Sequence, residues 1–168
     1  EIYEAIDIQA PNTTILKGPA EGSYVGKEFE FEWTAEDNAD ENDILHQYRN
    51  GENHQWSNWD YLNNYKEKNI RYEGKVTFQI RSKDIAGNIG DIVSRSFYVD
   101  NTPPSISTKE PEIIWKNGEV DVKIDWDATD NLCPDEQILF CHKFNGGNFG
   151  IWTKHSELLI DNIEPRKD

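Results

Sequence analysis

The sequence predicts an all-β protein made of tandem antiparallel β-sandwiches, and three observations lead to this prediction. Apolar and polar residues alternate along residues 28–35, which is the pattern of a strand with one buried face. The same alternation returns at residues 121–128, and such a recurrence indicates an internal repeat. Other short apolar segments are separated by turn-forming residues at roughly ten-residue intervals, as expected of a sandwich without helices.

The repeated strand places one tryptophan in each copy. Phe31 and Trp33 lie on the apolar face of the first copy, and glutamates occupy its other face. Ile124 and Trp126 take the same alternate positions in the second copy. Because large rings fill the narrow space between two facing sheets, we expect Trp33 and Trp126 to be buried core residues.

Further strands of the first copy follow from the same alternation. We predict strands at residues 13–17, 28–35, 44–49, 75–83 and 92–99. Residues 63–74 show no such pattern and are expected to be a linker. Trp56 and Trp59 precede this linker. At a spacing of three residues they would face opposite sides of a strand, so that only one of them could enter the core.

The chain divides at a proline-rich connection. Pro103 and Pro104 stiffen the backbone and prevent continued sheet pairing, so we assign residues 9–101 to a first module and residues 102–168 to a second. The second copy stops before the counterparts of the last two strands, and we expect it to be incomplete within this chain. Residues 1–8 are predicted to be a strand of a preceding module. Alternatively, they are a donor strand that completes the second module of another molecule.

The charge of the chain limits its partners. The formal net charge is −15, from 32 Asp plus Glu against 17 Lys plus Arg, and the phosphates of nucleic acid would be repelled by this surface. No apolar run approaches the roughly 20 residues that span a bilayer. We therefore expect neither nucleic acid binding nor membrane insertion, whereas a divalent cation would suit the acidic surface.

Several motifs are similar to those of a known family. The matching segments are residues 32–38, 48–51, 56–59, 74–88 and 99–104. They resemble the Ig-like or fibronectin type III-like repeats of large bacterial and archaeal surface proteins. The resemblance implies an extracellular or cell-surface location and a spacer, adhesion or cell-envelope role. It also implies neighbouring modules of the same polypeptide as partners, with other protein subunits or surface glycans as further candidates. We expect no catalysis, because the sequence contains no nucleophile elbow, Walker loop or dinucleotide fingerprint.

Acidic turns supply candidate ligands for Ca²⁺, which takes six to eight oxygen ligands. In a sandwich, the loop after the central strand and the loop before the last strand fall at the same end. Acidic residues at the linker could in addition clamp the junction with the second copy. The candidate ligands are Asp37, Asn38, Asp40, Asp43, Asp84, Asn88, Asp100, Asn101 and Asp130. The alternative is turn chemistry, since Asp and Asn side chains also bond their own backbone.

Two smaller sets of residues complete the candidates. An exposed Trp59 with Tyr61 could stack on a sugar ring, and the alternative is that these rings pack under a loop. Cys133 and Cys141 lie in the second copy and lack the spacing of a metal site. They are expected to form a local disulfide or to remain as two free thiols.

These features together predict non-catalytic structural or adhesive modules of a secreted or cell-surface prokaryotic protein, with Ca²⁺ as the one candidate cofactor. Two alternatives remain. The first is a carbohydrate-binding accessory region of a larger extracellular enzyme. The second is a subunit of a surface filament that assembles by donor-strand complementation.

Overall fold

The fold consists of β-strands and one short 3-10 helix. The computed structural model describes residues 6–38 and 43–163. The chain separates into two compact units, Glu1–Asn101 and Thr102–Asp168, which we call unit 1 and unit 2. The strand content confirms the all-β class that the alternating sequence predicts.

Unit 1 contains two sheets that face each other. Its strands among the described residues are β1 (Asn12–Lys17), β2 (Tyr24–Val25), β3 (Glu28–Glu36), β4 (Leu45–Asn50), β5 (Asn64–Lys68), β6 (Gly74–Lys83) and β7 (Val93–Val99). One sheet has the order β1-β3-β5 and the other has the order β2-β7-β6-β4. All of these pairings are antiparallel except that of the short β2 with β7. The central strand β3 is therefore paired along both of its edges.

The core of unit 1 lies between the two sheets. Phe31 of β3 stacks on Phe78 of β6 with ring centroids 4.0 Å apart, and Phe29 meets Phe97 of β7 edge-on at 4.8 Å. Trp33 is 1% exposed, which confirms its predicted place in the core. Burial of one aromatic side chain contributes about 1.5–3 kcal/mol, so this cluster of rings is a main source of cohesion between the sheets.

The predicted linker contains strand β5. Tyr65 is the one large apolar residue of this strand, so its sequence shows no alternation of apolar residues. The strand forms because an edge of β3 offers unpaired backbone groups, and residues 64–68 pair with it in antiparallel register. Tyr65 then contacts the rings of Phe29 and Tyr48. The linker prediction is therefore wrong over β5.

The two neighbouring tryptophans do not lie on a strand as the prediction assumes, although at most one of them is expected in the core and neither is there. Residues 56–59 belong to no strand, so alternation between two faces does not apply to them. Trp56 and Trp59 are both half-buried and lie against cationic side chains of β4 and β6. Neither ring belongs to the core cluster.

Of the predicted strand at residues 1–8, only residues 6–8 are described. These three residues are not in a strand. Instead, the backbone oxygen of Asp7 accepts a hydrogen bond from Nδ2 of Asn88 at 3.2 Å, which ties this segment to the loop between β6 and β7. Residues 1–5 lie outside the described part of the chain.

Unit 2 forms one four-stranded sheet within the described residues. Its elements are β8 (Ser105–Thr108), β9 (Glu112–Lys116), β10 (Glu119–Thr129), the 3-10 helix (Asp135–Gln137) and β11 (Glu157–Ile163). Strand β10 is central, because it pairs with β8 and β9 as well as with β11. Trp126 on β10 is 7% exposed, so its predicted burial is confirmed.

One face of the unit 2 sheet has little cover. Val122 and Ile124, the counterparts of the buried Phe29 and Phe31, are only half-buried. The physical reason is that strands equivalent to β6 and β7 are not among the described elements of unit 2. Phe78 and Phe97, the rings of β6 and β7 that cover β3 in unit 1, therefore have no equivalents over β10 in that part of the chain.

Candidate functional site

The strongest candidate site lies at one end of unit 1. There, the loops that follow β3 and β6 meet residues 6–11, which precede β1 and which we call the lead-in segment. Asp7, Asp37 and Asp84 each offer a carboxylate oxygen, and these oxygens all lie within 4.8 Å of one another. We call these three residues the acidic cluster. Carboxylates this close repel one another unless protons or a cation neutralise them.

Asp84 is the most firmly held member of the acidic cluster. It is 4% exposed, and its Oδ1 and Oδ2 accept hydrogen bonds from the backbone N–H and from Nδ2 of Asn88, both at 2.8 Å. Burial acts to raise the pKa of Asp84, but these hydrogen bonds and others from the backbone of Gly87 and Ala86 outweigh it and lower the pKa below its ordinary value. The carboxyl group is therefore ionised at neutral pH.

Asp7 reaches the acidic cluster from the lead-in segment. Its Oδ1 accepts a hydrogen bond from the backbone N–H of Gln9 at 3.1 Å. Its Oδ2 is buried and has no hydrogen-bond partner among the described residues. A buried carboxylate oxygen without a partner costs free energy, and a bound cation would remove that cost.

The lead-in segment packs closely against the loop between β6 and β7. The backbone N–H of Gly90 donates to the carbonyl oxygen of Ser82 at 2.9 Å. A Cβ atom at Gly90 would collide with the carbonyl oxygen of Pro11. Only a glycine lets the two backbones approach this closely, and their contact fixes the position from which Asp7 reaches the cluster.

The ligand atoms of the acidic cluster suit a hard divalent cation. Three carboxylates supply three to six oxygens, depending on whether each binds through one oxygen or two, and Ca²⁺ accepts six to eight oxygens in flexible geometry. The cluster contains neither an imidazole nor a thiolate, the ligands that zinc prefers. The low pKa of Asp84 keeps at least this ligand charged. The cluster therefore fits Ca²⁺ better than it fits a transition metal.

The structure brings together part of the predicted ligand set. Asp37 and Asp84 belong to the acidic cluster, and Asn88 binds both Asp84 and the backbone of Asp7. The loops after β3 and β6 thus share one end of the sandwich, as predicted. Asp40 lies outside the described residues.

Other predicted ligands lie elsewhere. Asn38 and Asp43 are exposed, and Asp43 does not belong to the acidic cluster. Asp100 and Asn101 follow β7 at the opposite end of unit 1, where Nδ2 of Asn101 donates to the backbone oxygen of Tyr72 at 3.1 Å. In unit 2, Oδ1 of Asp130 accepts the N–H groups of the second and third residues after it, at 2.9 and 2.8 Å, which is the predicted turn chemistry.

Asp7 is not among the ligands that the sequence predicts, because residues 1–8 are expected to form a strand. The internal repeat contains a signal for it. Asp7 precedes Pro11 much as Asp100 precedes the pair Pro103 and Pro104, and Asp100 was already a candidate ligand. By the repeat, Asp7 occupies the corresponding place at the start of the chain and is a candidate ligand for the same reason.

A second feature of unit 1 lies on the outer face of β4 and β6. The guanidinium carbons of Arg49 and Arg81 lie 4.7 and 4.4 Å from the ring centroid of Trp56. Arg81 and the Nζ of Lys83 lie 5.5 and 4.6 Å from the ring centroid of Trp59. We call these five residues the cation ladder. Each such contact with a half-buried ring contributes about 0.5–2 kcal/mol.

The residues proposed to stack on sugar rings do not share one environment. Trp59 already contacts two cations of the cation ladder, whereas Tyr61 is 61% exposed. A sugar would therefore compete with Arg81 and Lys83 for the faces of the Trp59 ring.

Unit 2 carries an apolar groove of about 460 Å³. Residues that line it include Ile106, Ile138, Phe140, Cys141, Phe149 and Trp152. Cys133 and Cys141 are both half-buried, and the structure has no disulfide between them.

No protein-family model and no curated protein matches this chain. Among solved structures, the crystal structure of the FN1-FN3 domains of chicken CNTN1 is similar, with 9% sequence identity and a TM-score of 0.38. The similarity covers 93% of this chain and 59% of that chain. Within the described part of the protein, there is no helix with the length and apolarity needed to cross a membrane.

Proposed function

We propose that this chain is a non-catalytic structural and adhesive part of a secreted or cell-surface protein, and that Ca²⁺ stiffens unit 1. The acidic cluster is the observation that supports this proposal. It joins Asp7 of the lead-in segment to Asp37 and Asp84 of the sandwich. A cation shared by these residues would fix the direction in which the chain enters unit 1, and a spacer requires fixed directions at the ends of its modules.

The energetic basis is that the folded chain binds the cation and the unfolded chain does not. Without a cation, the three carboxylates of the acidic cluster repel one another and lower the stability of unit 1. With Ca²⁺ bound, the repulsion is replaced by attraction, and folding is stabilised in proportion to the logarithm of the ion concentration. Calcium sites of extracellular modules have dissociation constants of about 10⁻⁴–10⁻³ M, so we expect an effect at millimolar Ca²⁺.

The first experiment compares thermal unfolding of the full chain in EDTA and in about 10 mM Ca²⁺, which is roughly 10–100 times such a dissociation constant. The expected stabilisation is about 1.4–2.7 kcal/mol, which corresponds to a rise in Tm on the order of 5–15 °C for a domain of this size. Equal Tm values in the two conditions would remove calcium from the proposal.

Two matched variants separate a specific site from general screening of charge. Asp7→Asn removes one carboxylate of the acidic cluster, so we expect it to leave stability unchanged or higher in EDTA and to lose most of the rise in Ca²⁺. Asp60→Asn removes an exposed carboxylate that is not part of the cluster, and we expect it to keep the full rise. If both variants lose the rise equally, the effect is general screening and the site is not the acidic cluster.

The filament alternative makes a conflicting demand on residues 1–8. The open face of unit 2 favours it, because an added strand could cover that face. However, a segment donated to another molecule would take Asp7 away from Asn88 and from the acidic cluster. Ca²⁺ should then oppose strand donation. Size-exclusion chromatography in EDTA and in Ca²⁺, with and without residues 1–8, tests this: association that requires residues 1–8 would support the filament and contradict the spacer.

A further inference from the structure

The outer face of the sheet that contains β4, β6 and β7 differs in charge from the chain as a whole. Arg49 projects there from β4, and Lys75, Arg81 and Lys83 project from β6. None of the outward positions of these three strands is an aspartate or a glutamate. In a chain with a net charge of −15, this face is a local concentration of positive charge.

The cationic side chains of the cation ladder form no ion pairs with carboxylates of the described residues. Among the described residues, none of Arg49, Arg81 and Lys83 forms a salt bridge with a carboxylate. By contrast, Lys17 and Lys66 on the other sheet of unit 1 are paired with Glu30 at 3.3 and 3.8 Å. Surface cations are therefore paired with carboxylates on one sheet of unit 1 and unpaired in the cation ladder on the other.

Neutral groups hold the guanidinium groups in place. Oε1 of Gln47 accepts hydrogen bonds from Nε and Nη2 of Arg81 at 3.0 and 2.8 Å. Gln47 is itself fixed, because its Nε2 donates to the backbone oxygen of Ser57 at 2.7 Å. Oε1 of Gln79 accepts a hydrogen bond from Nε of Arg49. The positive charges are thus positioned without being neutralised, and a partner would bind them at little cost in side-chain entropy.

The spacing of the cations follows the strands. Arg49 lies opposite Gln79 in the register of β4 and β6, and Arg81 and Lys83 follow Gln79 at successive alternate positions. The three cations therefore lie in successive rows about 6.4–6.8 Å apart. An extended peptide with an acidic residue at every second position places its carboxylates at the same spacing.

From this match we propose that the cation ladder is a docking surface for an extended acidic segment of a partner protein, in which aspartate or glutamate alternates with other residues. The guanidinium groups and the Lys83 ammonium group would each meet one carboxylate of the segment. An acidic polysaccharide is the less favoured class of partner. Sugar rings usually bind to open aromatic faces, and the rings of Trp56 and Trp59 are already in contact with cations.

The test uses the full chain in EDTA, so that Ca²⁺ neither bridges carboxylates nor links the result to the proposed calcium site. The probe is a fluorescently labelled synthetic peptide in which glutamate alternates with threonine, and its anisotropy reports binding at low ionic strength. The comparison peptide has the same composition with all glutamates in one block. We expect the alternating peptide to bind about fivefold to tenfold more tightly than the block peptide, and salt to weaken its binding.

A pair of double variants with equal charge change locates the site. Arg49→Gln with Lys83→Gln removes two cations of the cation ladder, and we expect it to weaken binding of the alternating peptide by about fivefold to tenfold. Lys17→Gln with Lys66→Gln removes two cations from the other sheet, and we expect it to change binding by less than about twofold. Loss of two cation–π contacts should lower the Tm of the first variant. An unchanged circular dichroism spectrum, together with a cooperative unfolding transition above the assay temperature, shows that its fold is retained in EDTA.

Four results would overturn the proposal. The first two are that the alternating peptide fails to bind at low ionic strength, or that it binds no better than the block peptide. The third is that both double variants weaken binding equally, which would mean that only the net charge matters. The fourth is that polygalacturonate binds more tightly than the alternating peptide and loses this affinity in the Arg49→Gln, Lys83→Gln variant, which would make the partner an acidic polysaccharide.

Discussion

His46 is a buried titratable residue that connects the two sheets of unit 1. It is 8% exposed, and its Nδ1 lies 2.9 Å from the Oγ of Ser82. That hydroxyl lies 2.7 Å from the Oγ1 of Thr13 on the opposite sheet. The imidazole ring of His46 also packs edge-on against the indole ring of Trp33, with ring centroids 6.2 Å apart. Protonation of His46 would place a charge in this buried chain of hydrogen bonds.

This position predicts a dependence of stability on pH. Burial lowers the pKa of His46 in the folded chain below its ordinary value of 6.5, which the unfolded chain retains. Between these two pKa values the unfolded chain binds more protons, so the free energy of unfolding of unit 1 rises with pH and falls as the pH drops below about 6.5. The slope from one histidine is at most about 1.4 kcal/mol per pH unit.

Urea unfolding between pH 5 and pH 7 measures this slope. His46→Gln should flatten it, because glutamine keeps a polar partner for Ser82 but does not titrate. His54→Gln is the matched control, since His54 is exposed and its loss should leave the slope as it is. An unchanged slope in His46→Gln would show that other groups govern stability in this pH range.

At the scale of the strand, whether a strand can be predicted from the sequence depends on how many of its apolar residues face the core. Strands β3 and β10 place several apolar residues on one face, so their alternation and the burial of Trp33 and Trp126 could be read from the sequence. Strand β5 has only Tyr65 to place against the core. It forms because β3 offers a free edge, and a sequence does not show which distant strand has an open edge.

The same limit applies to the acidic cluster. Asp37 and Asp84 could be assigned to one end of the sandwich, since the order of strands decides where loops meet. Asp7 could not be assigned in this way, because its position depends on the close contact between Pro11 and Gly90. The cation ladder is likewise not predictable from the sequence. It forms because residues 56–59 lie outside the strands and pack over the outer face of the sheet, and no periodic pattern encodes this arrangement.

We expect substitutions at equivalent positions of β3 and β10 to lower the free energy of unfolding of their units by different amounts. Phe31 is fully buried and stacked on Phe78, so Phe31→Ala should destabilise unit 1 by about 3–5 kcal/mol. Its counterpart Ile124 is only half-buried, so Ile124→Ala should cost unit 2 less than about 2 kcal/mol. Hydrogen exchange measured separately for the peptides of each unit gives both values.

The contrast between these two variants tests the difference in cover directly. If Ile124→Ala costs as much as Phe31→Ala, then β10 is covered as fully as β3, and the open face of unit 2 does not exist in solution. A cost near zero at Phe31 would contradict the two-sheet core of unit 1.

At the scale of the whole molecule, the two units differ in how their apolar surface is covered. Unit 1 buries a continuous cluster that includes Phe29, Phe31, Trp33, Phe78 and Phe97. In unit 2, Trp126 and Ile138 are the buried hydrophobic residues among those described. Ile151 is 84% exposed, and Trp115 and Trp152 are also exposed. Since apolar burial is the dominant favourable contribution to folding, the stability of unit 2 should be the lower of the two.

Unit 2 should therefore open before unit 1 in the intact chain. We expect backbone amides of β10 and β11 to exchange with solvent at lower opening free energy than those of β3 and β6, because the core-facing residues of β3 and β6 are buried whereas Val122 and Ile124 of β10 are only half-buried. Limited proteolysis should cut first within residues 143–152, where Phe144 and Phe149 are exposed and the backbone is outside any strand. If β10 and β3 instead exchange with the same opening free energy, the two units unfold as one cooperative body, and the division of the chain into a well-covered and a poorly covered unit has no energetic meaning.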